Sequence, residues 1–522
     1  MQTERRGTVN SVKVGIMAAC SAVCASLRAV EYVVPDYERW PAFADIHTQV
    51  SNALALCKSG DVVTVKAGTY TLPDAAVTAF GAEKVGAWMP PNFYSGGATL
   101  RGDPAAGREG VIIRGGSTYA VVYARNRALR LEGLTFEDCA NARSRAVEGY
   151  QDNAKAWAAF VVSNCVFRGT TPRGGTGVRY ATVVDCVFTN CFASSGGAVS
   201  NCRLFDSTFA GNEATSYGGA AAGCSVVSNC TFAANAVSDY DGGALSACGT
   251  VVGCYFERNF AARWGGALYD CKDVRDCTFG LGNAIGGEVS QSAGPVGAAC
   301  GFTRCTFTGD QGNESGSYTA CVFTNMTTSP ITCRTNGRVA LTNCLFAASD
   351  SPYNTFTFIR GGQLADKPCT LVNCTFADNA LRDAVLLDIK YGEVKNCLFF
   401  GNTRTSGGKI VRDDVSVRVA AGGDFTMRNC AYGVDVGGLA TADGGNFAVA
   451  TPCFAKGRVA GVPYWALRAS LRNRQVRTGG LVEDWMAVAT DLAGLPRLRG
   501  GRVGIGCYEC WLDEAGGLFL IR

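Results

Sequence analysis

Two consecutive stretches decide the fold: residues 218–241 read GGAAAGCSVVSNCTFAANAVSDYD, and residues 242–264 read GGALSACGTVVGCYFERNFAARW. Aligned on their first glycines, both contain Gly-Gly-Ala, a cysteine, a Cys-x-Phe tripeptide and an asparagine three residues after the phenylalanine. Four motifs that keep the same order and spacing in adjacent segments identify an internal structural repeat.

The repeat extends well beyond these two units. Cys-x-Phe recurs in steps of 21, 21, 23, 24 and 23 residues between Cys165 and Cys277, with Ser207 in the place of one cysteine. The tripeptide begins at Cys165, Cys186, Cys230, Cys254, Cys277, Cys305, Cys321, Cys344, Cys374 and Cys397. The other motifs are Gly-Gly (Gly196, Gly218, Gly242, Gly265), a second cysteine (Cys202, Cys224, Cys248, Cys271) and Phe-x-x-Asn (Asn212, Asn235, Asn259, Asn379, Asn402).

Each repeat contains short β-branched segments separated by Gly, Asn and Asp, and no segment with helical periodicity. This pattern predicts an all-β chain in which each repeat forms one coil of a three-sided parallel β-helix solenoid. Because residues two apart in a strand share a face, Cys and Phe are both expected inside, stacked from coil to coil. Asn or Asp before the cysteines is expected outside or at a corner, and the Gly-Gly pairs are expected to supply positive φ at another corner.

The ends of the chain lack the repeat and predict four segments. Residues 1–29 are predicted to be a signal peptide, because positive charges precede an apolar run. Residues 30–60 form an N-terminal segment whose apolar spacing over 38–57 predicts a helix that caps the first coil. Residues 61–454 contain the β-helix, and residues 455–522 form a C-terminal cap and tail, with 503–508 as a final strand.

The chain resembles bacterial right-handed β-helix proteins of the pectin-lyase-like superfamily. The resemblance is carried by Gly60-Asp-Val-Val and Gly68-Thr-Tyr at the start, and by Asp491–Arg497 with Gly504–Glu509 at the end. Phe-x-x-Asn combined with Gly-Gly-Ala resembles the repeat of chlamydial polymorphic outer-membrane proteins. The resemblance implies a right-handed solenoid in an exported protein, in a superfamily that includes lyases, glycosidases and non-catalytic adhesins.

Composition excludes several functions. A net charge of +4 over 522 residues, without a basic run, argues against nucleic-acid binding. The single histidine, His47, excludes most zinc enzymes and Ser-His-Asp hydrolases. No segment of the mature chain is apolar enough to span a membrane, and no cofactor or metal site is predicted. The 26 cysteines are interpreted mainly as buried thiols, with cross-coil disulfides as the alternative.

One aromatic motif indicates a binding site. Tyr217, Tyr240 and Trp264 precede the Gly-Gly pairs of consecutive coils by one or two residues. They are expected to stack at one corner, where exposed rings could bind sugars. The alternative is an ordinary aromatic stack that covers the turn.

The predicted function is an exported, non-catalytic β-helix protein of the cell surface or extracellular space that is adhesive or binds a polysaccharide or cell-surface glycan. The alternatives are a purely structural envelope protein and a polysaccharide lyase or glycoside hydrolase. An enzyme would use the charges between 378 and 395: Asp378, Arg382, Asp383, Asp388, Lys390 and Lys395. The alternative is that these charged side chains are solvated residues in turns and have no catalytic role.

Overall fold

The chain is an all-β parallel β-helix with a short helix at its N-terminal end, which confirms the predicted fold class. The computed structural model describes residues 29–41, 45–72, 97–115, 120–124, 128–139, 145–149, 160–170, 177–285, 301–309, 316–327, 329–332, 338–350, 357–382, 385–437, 444–449, 454, 464–467 and 474–510. The predicted signal peptide therefore lies outside the described residues, apart from residue 29, as does Asp383.

The strands form two long sheets and three smaller ones, and pairings between coils are parallel. Sheet A contains Glu31–Val34, Val62–Val65, Ala98–Gly102, Leu129–Glu132, Phe160–Ser163, Thr182–Val184, Arg203–Phe205, Val226–Ser228, Thr250–Val252, Asp273–Arg275, Gly301–Thr303, Gly316–Thr319, Ile331–Thr332, Val339–Thr342, Thr357–Gly361, Cys369–Val372, Val385–Lys395 and Val417–Arg428. Sheet B contains Gly68–Leu72, Val111–Gly115, Thr135–Glu137, Val166–Arg168, Val187–Thr189, Thr208–Ala210, Thr231–Ala233, Tyr255–Glu257, Thr278–Phe279, Thr306–Thr308, Val322–Thr324, Leu345–Ala347, Thr375–Ala377, Leu398–Phe400, Ala431–Tyr432 and Phe447–Ala448.

Sheet C contains Val122–Tyr123, Val147–Glu148, Val178–Arg179, Val199–Ser200, Ala221–Ala222, Leu245–Ser246 and Leu268–Tyr269. Sheet D contains Phe192–Ser195, Glu213–Tyr217, Ala236–Val237, Phe260–Ala261 and Ala284–Ile285. A small sheet joins Ala380–Arg382 to Thr403–Ser406, which forms an antiparallel hairpin with Lys409–Arg412.

The central coils have four short sides, not the three expected from the sequence. One coil runs through Val226–Ser228 in sheet A, Thr231–Ala233 in sheet B, Ala236–Val237 in sheet D and Leu245–Ser246 in sheet C. The extra side arises at the asparagine of Phe-x-x-Asn. Its buried amide binds the turn backbone, so the chain bends there and starts another strand before the Gly-Gly pair.

The interior contains the predicted stacks of phenylalanine and cysteine. Twelve rings from Phe136 to Phe399 stack coil upon coil, with successive centroids 4.5–5.1 Å apart. The 21 cysteines that the structure describes are buried, and none of these 21 forms a disulfide. Burial raises the pKa of Cys191 to about 12 and that of Cys202 to about 11, which keeps both as thiols.

The cysteine stack also satisfies backbone groups at the corner between sheets A and B. The Cys254 amide donates to Sγ of Cys277 at 3.4 Å, and the Cys254 thiol donates to the carbonyl of Val252 at 3.4 Å. Ser207 makes the equivalent bonds, because its Oγ accepts from the Cys186 amide at 3.0 Å and donates to the Phe205 carbonyl at 2.7 Å. The thiols are therefore polar partners of the corner and not only apolar filling.

A second stack of buried asparagines runs along the corner between sheets B and D. The Asn212 side chain donates to that of Asn235 at 2.9 Å, Asn235 to Asn259 at 3.0 Å, and Asn259 to Asn283 at 2.9 Å. Each side-chain amide also donates to a phenylalanine carbonyl, as Asn235 does to Phe209 at 3.0 Å. Asn212, Asn235 and Asn259 belong to the Phe-x-x-Asn motif, whereas Asn283 follows its phenylalanine, Phe279, by four residues.

The Gly-Gly pairs have the positive φ that the sequence predicted, and positive φ also occurs at corner positions where it was not predicted. The residue before each corner cysteine has positive φ, for example 53° at Asn229 and 54° at Asp276. In the Gly-Gly pairs the two glycines serve different needs. Gly218 has φ 59°, and a Cβ on Gly219 would lie 2.1 Å from the carbonyl oxygen of Gly243 in the next coil.

The predicted capping helix forms at Ile46–Leu56 and packs against the first two strands of sheet A. Asp45 begins it as N-cap, accepting a hydrogen bond from the Thr48 amide at 2.7 Å. The helix is shorter than the predicted 38–57 because this cap fixes its start. Val50, Ala53 and Leu54 are completely buried against the coil.

The C-terminal segment covers the outer face of sheet B and does not extend the solenoid by a strand. It contains a short helix at Arg474–Thr478 and a 3-10 turn at Asp484–Ala487, and its apolar residues pack on Leu345, Ala377 and Leu398. The predicted final strand at 503–508 is wrong: the Cys507 amide donates to Oγ1 of Thr375 at 2.9 Å and the Asn373 side chain to the Gly504 carbonyl at 3.2 Å. Side chains in and just before the sheet B strand Thr375–Ala377 therefore hold this segment, in place of pairing between strands.

Candidate functional site

The Gly-Gly corner places the predicted aromatic residues between sheets D and C, but not in one column. Backbone bonds from Gly218 to Asp241 and from Gly242 to Trp264 align Tyr217, Asp241 and Trp264 in successive coils. Tyr240 lies one residue earlier and aligns with Arg263, whose amide donates to the Tyr240 carbonyl at 3.0 Å. Because Tyr240 precedes its Gly-Gly pair by two residues, Asp241 takes the place between Tyr217 and Trp264.

Two of the three predicted rings are in contact. The centroids of Tyr217 and Tyr240 are 5.5 Å apart with planes at 33°, and each residue is 40% exposed. On the far side of Tyr240 lies the Arg263 guanidinium, 5.3 Å from the ring centroid. Trp264 is half-buried, and no ring contact joins it to Tyr240 in the described part of the corner. The exposed surface is therefore a pair of tyrosines bordered by an arginine.

A groove of about 470 Å³ runs beside this corner, over the outer face of sheet C. Strand register aligns its floor along the axis: Arg179, Ser200, Ala222, Ser246 and Tyr269 occupy one outward column. Three small side chains between two large ones create the depression. Tyr217 forms part of its wall, so the groove and the tyrosine pair share a residue.

At the N-terminal end of the groove, the positive charge of Arg179 is offset by the carboxylate of Glu148. Arg179 donates to Oγ of Ser200 at 3.2 Å and lies 3.4 Å from the carboxylate of Glu148. Both charged side chains are partly exposed, 36% for the arginine and 24% for the glutamate. The contact with Glu148 orients the guanidinium and offsets its charge.

A second arginine lies beneath this end of the groove. Arg145 is buried, and its guanidinium donates to the carbonyls of Ser195, at 2.6 Å, and of Gly197, at 2.9 Å. Those carbonyls belong to the turn that follows the first strand of sheet D, Phe192–Ser195. Burial, and then the charge of Arg179, lowers the pKa of Arg145 to about 10, so the group remains a cation at neutral pH.

The opposite end of the groove is acidic. Tyr269 and the exposed Asp270 line it, and Asp241 lies nearby with 5% of its surface exposed. Oδ1 of Asp241 has no hydrogen-bond partner in the described structure. Burial raises the pKa of Asp241, although the charge of Arg263 and the Trp264 amide oppose the shift. Burial likewise raises the pKa of Tyr269, with contributions from Asp241 and Asp270.

The side chains that line the groove are of the kinds that contact a sugar. Among the described residues that line the groove, Asp270 is the one carboxylate and Arg179 the one cation. A glycosidase requires two carboxyl groups on either side of the scissile bond. The lining thus offers aromatic faces, hydroxyl groups and one carboxylate, which are the groups that hold a sugar.

The charges between 378 and 395 do not converge. Asp378 accepts a hydrogen bond from the Trp465 indole at 3.0 Å, and Lys395 pairs with Glu483; both partners belong to the C-terminal segment. Asp388 lies between Arg360, at 3.9 Å, and Arg418, at 3.7 Å. Arg382 is exposed, and the side chain of Lys390 lies 5.2 Å from the Tyr391 ring.

The described residues contain no group of three or more His, Cys, Asp or Glu side chains placed to bind a metal ion. Nor does any helix in the described ranges have the length and apolar character required to span a bilayer.

The sequence did not single out Arg179, Tyr269, Asp270 or Asp241. A signal for part of the groove was present: Ser200, Ala222, Ser246 and Tyr269 each stand two residues before a cysteine of the second stack. Reading this position as one outward column would have shown three small residues next to a tyrosine. Arg179 stands two residues before Ala181, where later coils have the cysteine. An alignment of the coils on that cysteine therefore misses Arg179.

No protein-family description matches the chain, and no curated protein sequence matches it. Solved structures with a similar fold include the Azotobacter vinelandii mannuronan C-5 epimerase AlgE4 A-module, at 13% identity over 74% of this chain and 90% of that one, with a TM-score of 0.21. The PL6 family alginate lyase AlyGC is 10% identical over 78% of this chain and 76% of its own, with a TM-score of 0.27.

Pectate lyase Pel9A is 13% identical over 94% of this chain and 98% of its own, with a TM-score of 0.22. Likenesses at these identities and scores carry no argument about function. The assignment of the fold rests on the parallel strand register described above.

Proposed function

We propose that the chain is an exported, non-catalytic protein of the cell surface or extracellular space that binds a polysaccharide along the outer face of sheet C. The observation that carries this proposal is the groove between Tyr217 and Tyr269, with small residues on its floor. Tyr217 aligns with the coil of Ala222, and Tyr269 lies two coils further along.

The coil spacing supports an extended glycan as ligand. Parallel strands repeat every ~4.8 Å along the axis, which is close to the rise of one sugar unit in an extended polysaccharide. Two sugars could therefore lie between the two tyrosines, with rings packed on aromatic faces and hydroxyl groups near Ser200 and Ser246. The resemblance of the repeat to chlamydial polymorphic outer-membrane proteins supports display of this face at a cell surface.

The test is retention of purified protein on a panel of immobilised neutral, acidic and amino polysaccharides. Changing Tyr217 and Tyr269 together to alanine should weaken retention of the bound glycan at least about fivefold, since each lost stacking contact costs ~0.5–1.5 kcal/mol. Tyr255→Ala is the matched control, because Tyr255 is 37% exposed on sheet B, away from the groove. Both variants should keep the far-ultraviolet circular dichroism and melting temperature of the parent.

Two results would contradict the proposal. Retention that is unchanged in the double variant would place binding elsewhere. Release of unsaturated products or new reducing ends would show an enzyme, and loss of that turnover in Asp388→Asn or Lys390→Ala would place its site between 378 and 395.

A further inference from the structure

The charges around the groove do not suit an acidic sugar. Arg179 is offset by Glu148 at 3.4 Å. The charge of Arg263 at the corner is opposed by that of Asp241. Asp270 remains: it lines the groove, is exposed, and has no ion-pair partner among the described residues. Lys272, two residues further along the chain, is exposed and likewise makes no ion pair in the described structure.

The aromatic surface beside the groove already holds a cation. The Arg263 guanidinium lies 5.3 Å from the Tyr240 ring centroid, within the range of a cation–π contact. Tyr217, whose ring is 5.5 Å from that of Tyr240, continues this surface into the groove and faces the acidic end formed by Tyr269 and Asp270. Aromatic faces combined with a carboxylate favour an ammonium group and disfavour a carboxylate.

From this arrangement we infer that the groove prefers a glycan with free amino groups, the amine lying near Asp270 and against the rings of Tyr217 and Tyr269. This inference rests on the proposed glycan binding. It names the ligand as a basic sugar polymer and excludes a polyuronate as the preferred ligand, because the described residues that line the groove include no uncompensated cation, and Lys272 lies outside that lining.

The test compares three hexasaccharides by calorimetry at low ionic strength, at a pH where the amines are protonated: a glucosamine hexamer, its N-acetylated counterpart and a galacturonate hexamer. The full chain should bind the glucosamine hexamer about tenfold more tightly than the acetylated one, which corresponds to ~1.4 kcal/mol. The preference should decrease as salt is added, because the charges are solvent-exposed.

Asp270→Asn should reduce the preference for the glucosamine hexamer over the acetylated hexamer to about threefold or less, because the charge that attracts the ammonium group is removed. The backbone should tolerate this change, because Asp270 has φ 51° and asparagine adopts that conformation readily. Asp366→Asn is the charge-matched control: Asp366 is exposed and far from the groove in the chain, so this variant should keep the full preference.

The outcomes separate the two proposals. Tighter binding of the galacturonate or acetylated hexamer, with loss on changing Tyr217 and Tyr269, would overturn the amine preference and leave glycan binding intact. A preference for amine that survives in Asp270→Asn would also overturn it. Failure of every glycan in both the calorimetric series and the polysaccharide panel would contradict the glycan-binding function itself.

Discussion

Ser207 shows what a single position in the interior stack must provide. It stands where neighbouring coils have cysteine, is 2% exposed, and joins the Cys186 amide to the Phe205 carbonyl. A side chain at this position must therefore be small, accept one hydrogen bond and donate another. Cysteine and serine both meet these demands, and cysteine adds a larger apolar atom.

Ser207→Ala should be more destabilising than Ser207→Cys, although alanine is closer to serine in size. Alanine leaves the Cys186 amide buried without an acceptor, at a cost of ~1–3 kcal/mol, whereas cysteine restores the bond pattern seen at Cys254 and Cys277. Chemical unfolding of both variants measures the difference, and amide exchange at Cys186 should accelerate in the alanine variant alone. Equal stability of the two variants would show that the hydrogen bonds of this stack are unimportant.

At the scale of one element, the asparagine stack holds the corner between sheets B and D. Asn235 accepts from the backbone and the side chain of Asn212, at 3.1 and 2.9 Å, and donates to Phe209 and Asn259. One side chain therefore connects three coils. Because these groups are completely buried, each bond that is lost leaves a group that water cannot reach.

Asn235→Ala should destabilise the solenoid by ~2–4 kcal/mol, more than an ordinary surface change, because several buried groups lose partners together. The matched control is Asn190→Gly, at an exposed corner position with φ 52°, where glycine fits the backbone and little should change. Denaturant unfolding of the two variants provides the comparison. A cost for Asn235→Ala as small as that of the control would show that the stack is dispensable.

The elements that repeat could be predicted from sequence, because a residue in one coil has the same surroundings as its equivalent in the next. Inward placement of Phe232 and Cys230 followed from their separation by two residues, whereas the positive φ at Asn229 was not predicted. The offset of Tyr240 from Tyr217 was not predicted from the sequence. It depends on one extra residue within a turn, and a turn can absorb a residue without disturbing the strands.

At the scale of the whole molecule, the C-terminal segment is held by long-range contacts that the sequence repeat does not predict. Asn373 binds Gly504, 131 residues away, and Cys507 binds Thr375, 132 residues away. Arg497, completely buried, pairs with Glu509 at 2.7 Å and also donates to the Gly506 carbonyl. The sequence marked Asp491–Arg497 and Gly504–Glu509 as a terminal motif, but nothing in it indicated that this motif would lie along sheet B.

Glu509→Ala should loosen the C-terminal segment by ~3–5 kcal/mol, because it leaves Arg497 charged and buried without its partner. Limited proteolysis and hydrogen exchange should show increased exposure between 474 and 510, with the coils from 177 to 285 unchanged. Replacing both residues, as Arg497→Met with Glu509→Leu, should recover most of the loss, since the buried charge is then absent. Equal exchange along the entire chain in Glu509→Ala would show that the segment is not a separate unit.

The one-way order of the asparagine amides also makes the length of the solenoid adjustable in whole coils. Each side-chain amide donates one hydrogen bond to the asparagine of the following coil, so cutting out residues 236–259 would bring Asn235 against Asn283 with the same donor facing the same acceptor. Such an excision would shorten the interval between Tyr217 and Tyr269 by one step. Adding or removing one coil would therefore change, by one coil spacing, the length of sugar polymer that fits between the two tyrosines.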